Sequence, residues 1–206
     1  MTHLNKNPRK ARNILTTLAK MLEDRGYVLE VEYQNIRATL ESDDQKAKEY
    51  YSATVSVIKG LNSENELAVQ VMVPKEDKLA VDTIRQYVCD YSEIPNLTLI
   101  IVVQHVTPAA RQILEKHKNF QLFYETDLFH NRTKHVLYMP HRALSLDEEK
   151  VLLTKFFCQK HNLPSIRITD PIVRYFNWTV GQIIEIQCKM SGVVEPSVYY
   201  RVVINE

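Results

Sequence analysis

The chain has 206 residues, a net charge of +1, 45% hydrophobic and 25% charged residues. That length suffices for one large domain or two small ones, burying about 68–75% of the unfolded surface. Near-neutral charge excludes a global electrostatic claim on nucleic acid, so any DNA contact is local or shared with partners.

Asn7-Pro8 opens a helix, and Ala11, Ile14, Leu15, Leu18, Ala19 and Leu22 form one apolar stripe along it. Arg25-Gly26 ends it, with Gly26 at the position that favours a left-handed residue. Residues 35–50 are charge-dense and read as a solvated helix with a loop. Tyr51 to Ile58 alternates as a strand, with Tyr51, Ala53, Val55 and Val57 on one side. A turn over Asn62–Glu66 leads to a second strand, Leu67–Val73, stopped by Pro74.

Residues 78–92 read as a helix with Leu79, Ile84, Tyr87 and Val88 inward. Leu97–Val103 is almost continuously apolar and reads as a central strand buried on both faces. Thr107-Pro108 caps a helix running through Lys118, and Phe120–Tyr124 is a further strand. This alternation of strands and helices favours a sheet with some parallel pairing.

Pro140 ends one segment, and Ser145 caps a helix over Leu146–Lys160, with Glu148 completing a capping box. A domain break is expected at 140–146, giving an α/β domain over 1–140 and a small α+β domain over 145–206. In the second, Asp170 is an N-cap and Pro171 suits the first helical position. Val173 and Phe176 share a helix face, and Asn177 and Gly181 release the chain. Val180, Ile184 and Ile186 fall on one parity of the next strand and Ile183 on the other. The chain closes on Tyr199-Tyr200-Arg201-Val202-Val203.

Chemistry is sparse. With 4 glycines, the chain contains neither GxGxxG nor GxxxxGK(S/T). Cys89, Cys158 and Cys188 are isolated and odd in number, which suits a reducing compartment, and no CxxC offers a zinc site. His130, His135 and His141 are five and six apart, HExxH is absent, and no serine sits in GxSxG. No metal, cofactor or catalytic residue is expected. The polar, basic start from Met1 to Lys10 carries no apolar signal core, and no apolar run approaches a membrane span.

Several pieces in order carry a resemblance. They are Asp24-Arg25-Gly26-Tyr27, Val73-Pro74 with Ile84 and Tyr87, and Ile100-Ile101-Val102-Val103-Gln104 followed by Thr107-Pro108-Ala109. Glu125, Leu128, Asn131, Thr133, His135 and Pro140-His141 follow, then Leu163-Pro164-x-Ile166, Asp170-Pro171-x-Val173-Arg174-Tyr175-Phe176 and Gly181-Gln182-Ile183-Ile184-x-Ile186. In this the chain resembles the fifth-largest subunit family shared by the eukaryotic nuclear DNA-directed RNA polymerases. Archaeal RNA polymerases carry the C-terminal domain of that family as a separate small protein. The resemblance is strong beyond about residue 97, patchy over 28–70 and weak before 24. The chain departs from the family at Thr169 and Asn177, where glycine is usual, and in a longer connection over Lys189–Val198.

The resemblance implies a nuclease-like α/β N-terminal jaw domain, with a mixed sheet and helices, beside downstream DNA. It also implies a small α+β C-terminal assembly domain, like the archaeal one, docked on the largest polymerase subunit. The chain would then be a non-catalytic subunit of a multisubunit DNA-directed RNA polymerase, with other subunits and double-stranded DNA as partners and no membrane. Its turn from Gln104 to Arg111 would face phosphate through a helix N-terminus. The DNA-proximal residues are Thr107, Pro108, Ala109 and Arg111, with Lys116 further along and Arg9-Lys10 and Lys75/Lys78 as weaker candidates. Subunit docking falls to Asp170, Pro171, Ile172, Val173, Arg174 and Tyr175, with Tyr200 and Arg201 on the last strand. Sequence does not sort which of these face the domain's own core.

The expected location is the nucleus for a cellular protein, or a cytoplasmic viral factory and the virion for a copy carried by a large DNA virus. Two alternatives stand beside this reading. A metal-dependent nuclease would need carboxylates on neighbouring strands and a carboxylate-x-Lys. The strand at Ala68-Val69-Gln70 supplies none, and Glu76-x-Lys78 follows Pro74 in an expected turn. A free-standing adaptor that binds transcription factors is the other.

Overall fold

Pro8 begins the first helix, α1 (Pro8–Asp24), of a computed structural model that describes residues 8–53, 56–62, 66–74, 78–91, 94, 96–188 and 197–205. The expected stripe of α1 is buried throughout, with Met21 added to it. Gly26 follows at φ +88, the left-handed conformation that releases a helix. The chain divides into two compact units, residues 1–130 and 131–206.

The first unit is built on a mixed five-stranded sheet. Its order is β1 (Val28–Leu29), β2 (Ser56–Leu61), β3 (Leu67–Met72), β5 (Thr98–Val103) and β7 (Phe120–Tyr124). The β1–β2 and β2–β3 pairs are antiparallel, and the β3–β5 and β5–β7 pairs are parallel. Each parallel step contains a helix, α4 (Val81–Tyr91) and then α5 (Pro108–Lys116). Leu99, Ile101 and Val103 of β5 pack with Ile84, Tyr87, Ala110 and Leu114 of these helices. Ile100 and Val102 have the opposite parity and are also fully buried. Both faces of β5 are therefore covered, which explains its unbroken apolar run. A short parallel ribbon, β4 (Lys78–Leu79) with β6 (His105–Val106), lies beside the start of α5. Gly60 of β2 is a close approach: a Cβ there would sit 2.5 Å from Val69 Cγ1.

Two helices, α2 (Val31–Ser42) and α3 (Asp44–Ala53), pack with α1. Here the structure corrects the alternation read from Tyr51. Residues 51–53 complete α3, and β2 starts only at Ser56. The reason is a 3.6-residue face: Ala47 and Tyr51, one turn apart, are both buried. The hydroxyl of Tyr51 donates to Glu125 Oε1 at 3.1 Å, and Lys10 Nζ lies 2.7 Å from Glu125 Oε2. Glu125, at the start of α6 (Glu125–Leu128), is only 2% exposed. Burial, then the adjacent carboxylate, pushes the Tyr51 phenol pKa well above its ordinary value.

Other expected boundaries shift. The helix expected over 78–92 begins at Val81, because residues 78–79 pair as β4. The α5 helix stops at Lys116, where His117 takes an extended conformation.

The second unit carries a four-stranded sheet in the order β8 (His141–Ala143), β10 (Ile183–Cys188), β11 (Ser197–Ile204) and β9 (Ser165–Arg167). Only the β11–β9 pair is parallel. One face is covered by α8 (Pro171–Phe176), whose Val173 joins Ile166, Ile184, Ile186 and Val203. The opposite parity carries Ile183, which packs with Leu144 and with Leu152 of α7 (Leu146–Lys155). The capping box expected at Ser145 and Glu148 is present. That helix ends at Lys155, not Lys160, because Phe157 adopts φ +50. The division of the chain at 130/131 lies ahead of the expected 140–146 window. Residues 141–143 are already strand β8, hydrogen-bonded to β10.

Candidate docking and nucleic-acid surfaces

The α8 helix is set by two local devices. Asp170 Oδ1 accepts the Ile172 N–H at 2.8 Å, and Pro171 occupies the first turn, where its missing N–H costs nothing. Asn177 ends it at φ +57, supplying the left-handed residue where the resemblance led one to expect glycine.

The structure sorts the eight docking candidates. Val173 and Tyr175 are buried and belong to the unit's own core. This is a correction, because a helix that covers a sheet must commit one face to it. Pro171 is exposed, while Asp170, Ile172 and Arg174 are half-buried. Arg201 is exposed and donates from Nη1 to the Ser165 carbonyl at 3.2 Å. It pairs in register with Ile184, so it shares the α8 face. Tyr200 pairs with Glu185 and faces the other way. It packs against the Leu144, Leu152 and Ile183 cluster, its ring centroid 6.1 Å from that of Phe156. Neighbours on one strand alternate faces, so these two candidates cannot serve one flat interface.

Sequence reasoning did not put His141 at this site. It pairs with Ile186, placing it on the α8 face, and its ring stacks on Tyr138 at 5.6 Å. Burial lowers its pKa; the Met139 carbonyl and Asp170 oppose that shift, and Arg201 adds to it. The exposed Tyr199, paired with Ile186, completes this face. The strand alternation gives Tyr199 from sequence; His141 needed the pairing of β8.

In the first unit, Thr107 Oγ1 accepts the Ala110 N–H at 3.3 Å, and its own N–H donates to the Leu79 carbonyl at 3.3 Å. The start of α5 is thus anchored on the β4–β6 ribbon. Pro108, Ala109 and Arg111 are exposed around it, as is Lys116. Arg111 Nε lies 2.9 Å from Glu115 Oε1, so its guanidinium is turned one helical step away from the helix start. Of the weaker basic candidates, Arg9 lies 3.6 Å from Asp44 and Lys10 is committed to Glu125. Lys75 and Glu76 lie outside the described residues, as does most of the 189–198 connection.

Strands β3 and β5, read as Leu-Ala-Val-Gln-Val-Met and Thr-Leu-Ile-Ile-Val-Val, carry no carboxylate. Among the described residues, no three His, Cys, Asp or Glu side chains are grouped to hold a metal ion. No described helix is long and apolar enough to cross a membrane. What these surfaces offer is binding: capped helix starts, exposed cations and half-buried apolar groups.

Residues 130–203 match the family model for the RNA polymerase Rpb5 C-terminal domain. The chain is 31% identical over 191 residues to the DNA-directed RNA polymerases IV and V subunit 5B of Arabidopsis thaliana, covering 91% of this chain and 86% of that protein. It is 29% identical over 180 residues to the DNA-directed RNA polymerases I, II, and III subunit rpabc1 of Dictyostelium discoideum, covering 84% and 87%. With the Caenorhabditis elegans subunit RPABC1 it shares 26% identity over 202 residues, covering 93% and 94%.

Proposed function

This chain belongs to the RNA polymerase Rpb5 family, and we propose that it works as a non-catalytic subunit of a multisubunit DNA-directed RNA polymerase. The observation that carries the reading is the extent of the likeness. It runs over nine-tenths of the chain against a named polymerase subunit, and the family model coincides with the compact second unit. A nuclease would need carboxylates on the central strands, which β3 and β5 do not have.

The second unit docks on the largest subunit through the α8 face, using Pro171, Ile172, Arg174, Arg201, Tyr199 and His141. The first unit forms the jaw, with the start of α5 beside the phosphates of downstream duplex DNA. A capped helix start presents free N–H groups and a partial positive charge, which suit phosphate and read no sequence. Its cellular relatives favour the nucleus as the place of assembly; no observation supports the viral-factory alternative.

Tagged full-length chain, isolated from its own cells, is expected to bring down the large polymerase subunits in fixed proportion. Recovery with transcription factors alone would make it a free-standing adaptor instead. Divalent-metal-dependent cleavage of plasmid DNA by the purified chain would overturn the non-catalytic assignment.

A further inference from the structure

The second unit opens on residues 131–139, which form neither strand nor α-helix and are nonetheless held by hydrogen bonds. Asn131 Oδ1 accepts the Thr133 N–H at 2.9 Å and the Thr133 hydroxyl at 2.7 Å. His135 N–H donates to the Arg132 carbonyl at 3.3 Å, closing the 3-10 turn Arg132–Lys134. Tyr138 N–H donates to the His135 carbonyl at 2.9 Å, so residues 135–138 make a β-turn with Val136 and Leu137 as its central pair. Inside it, Leu137 N–H donates to His135 Nδ1 at 3.1 Å. The Tyr138 ring stacks on His141 of β8, with centroids 5.6 Å apart. Both ends of the turn are thereby fixed.

The central pair is unusual for a solvated turn. Gly, Pro, Asn, Asp and Ser dominate such positions, because each eases the backbone through the bend. Here two aliphatic side chains stand there, Val136 96% and Leu137 79% exposed, and Met139 just beyond is 41% exposed. The fold gains neither turn chemistry nor packing from Val136 and Leu137. The charge around them has one sign. From Leu128 to Leu146 the chain carries no Asp or Glu. Arg132 and Lys134 are exposed in the turn that leads directly into the tip. Of the carboxylates around β8, Glu148 and Glu185 are taken by Arg142, and Asp170 caps α8. Among the described residues, Arg132 and Lys134 form no ion pair.

We propose that Val136 and Leu137 are a preformed plug, which inserts into an apolar pocket edged by Asp or Glu on another polypeptide. A fixed turn loses little freedom on binding, and two aliphatic groups at its tip suit a desolvated pocket. Arg132 and Lys134 select the acidic edge, because they reach the partner with no carboxylate of their own to satisfy them. A single-stranded nucleic acid would use the cations but stacks on aromatic rings, and the tip offers none. The plug adjoins the α8 face at His141 but shares none of the residues assigned to docking there, and the proposal does not rest on the polymerase reading.

The test places p-benzoyl-phenylalanine at position 137 of the full chain in cells, irradiates, and sequences the crosslinked peptide. The expected result is one site on another polypeptide, lined by apolar residues with Asp or Glu beside them. The same probe in the Arg132→Glu/Lys134→Glu variant, whose tip is untouched, should give a crosslink yield lower by roughly tenfold. The purified partner should bind wild-type protein roughly tenfold or more tightly than Val136→Ser/Leu137→Asn. That variant should melt within about a degree of wild type, because both replaced side chains are solvated and both new residues favour turns. Crosslinks to nucleic acid, to residues 1–130 of this chain, to a second copy or to nothing would overturn the proposal. So would an undiminished crosslink in the glutamate variant, equal partner binding by Val136→Ser/Leu137→Asn, or a clearly lower melting temperature for it. Failure of the polymerase reading shows instead in co-purification of the large subunits, which none of these measurements uses.

Discussion

Glu149 Oε1 accepts the backbone N–H of Ile183 at 3.0 Å, so a carboxylate of the first turn of α7 holds the start of β10. Its other oxygen takes Lys160, whose ammonium also donates to the Gly181 carbonyl at 2.9 Å. With Glu149 only 4% exposed, removing it strands a buried N–H and a lysine at once. Glu149→Ala is expected to destabilise the protein by about 3 kcal/mol, read as a shift in the urea midpoint of the full chain. Glu149→Gln, which can still accept from Ile183, should lose clearly less.

Acid should find a second, surface site. The Ser145 N–H, then the Arg142 guanidinium, hold the Glu148 carboxyl at about 2, below its ordinary 4.5. A folded pKa below the unfolded one stabilises the protein above pH 4.5, and that contribution fades as pH falls towards 2. Glu148→Gln should therefore be less stable than wild type at neutral pH, and the difference should close between pH 4.5 and 2. Urea unfolding across that range checks it; a gap that persists at pH 2 would mean that the carboxylate charge is not its cause.

Limited proteolysis should cut ahead of the second unit, not within 140–146. Arg142 is held in β8 and bonds both Glu148 and Glu185, at 2.8 and 3.1 Å. Arg132 and Lys134 are exposed at the start of the second unit, in a short 3-10 turn. Trypsin is expected to cleave after one of these and leave a fragment ending at the C-terminus of the chain. Mass spectrometry of the stable fragment decides it.

Arg174→Glu should melt within a degree or two of wild type and yet fail to enter the polymerase. The side chain is half-buried, next to Val173 and Tyr175, whose core packing the substitution leaves alone. Gel filtration of the reconstituted enzyme is the measurement, and full incorporation would take Arg174 out of the interface.

The pairing of Arg111 with Glu115 gives the DNA reading a two-sided test. Arg111→Glu should weaken engagement of downstream duplex by a modest factor, about 1 kcal/mol or less for an exposed charge. Glu115→Gln frees the guanidinium and should strengthen it. Both effects should be independent of DNA sequence and shrink at high salt. Transcription by reconstituted enzyme at low and high salt reads both; identical low-salt activity for all three proteins would leave the helix start a structural cap.

Local chemistry was legible where one residue sets one angle or bond. Thr107, Ser145 with Glu148, Asp170 and Gly26 all mark the helix ends that they were expected to mark. The buried run of β5 was equally plain. Tyr51 misled because its period-2 neighbourhood competes with a 3.6-period face that only α1 and Glu125 reveal. The sorting of Val173, Tyr175, Tyr200 and Arg201 between core and surface needed the register of β11 against β10. His141 needed the pairing of β8, which contributes three residues to the sheet, too few to carry a periodic signal.

The knot of Lys10, Tyr51 and Glu125 also sets a schedule. Tyr51 and Glu125 are 74 residues apart, and Lys10 lies further back still. On a ribosome, α1 and α3 therefore emerge long before the carboxylate that completes their shared buried contact. Until residue 125 has left the exit tunnel, the apolar stripe of α1 lacks that tie and the first unit cannot close. Its earliest helices can pack on one another in the meantime, but Tyr51 and Lys10 wait for the carboxylate that joins them.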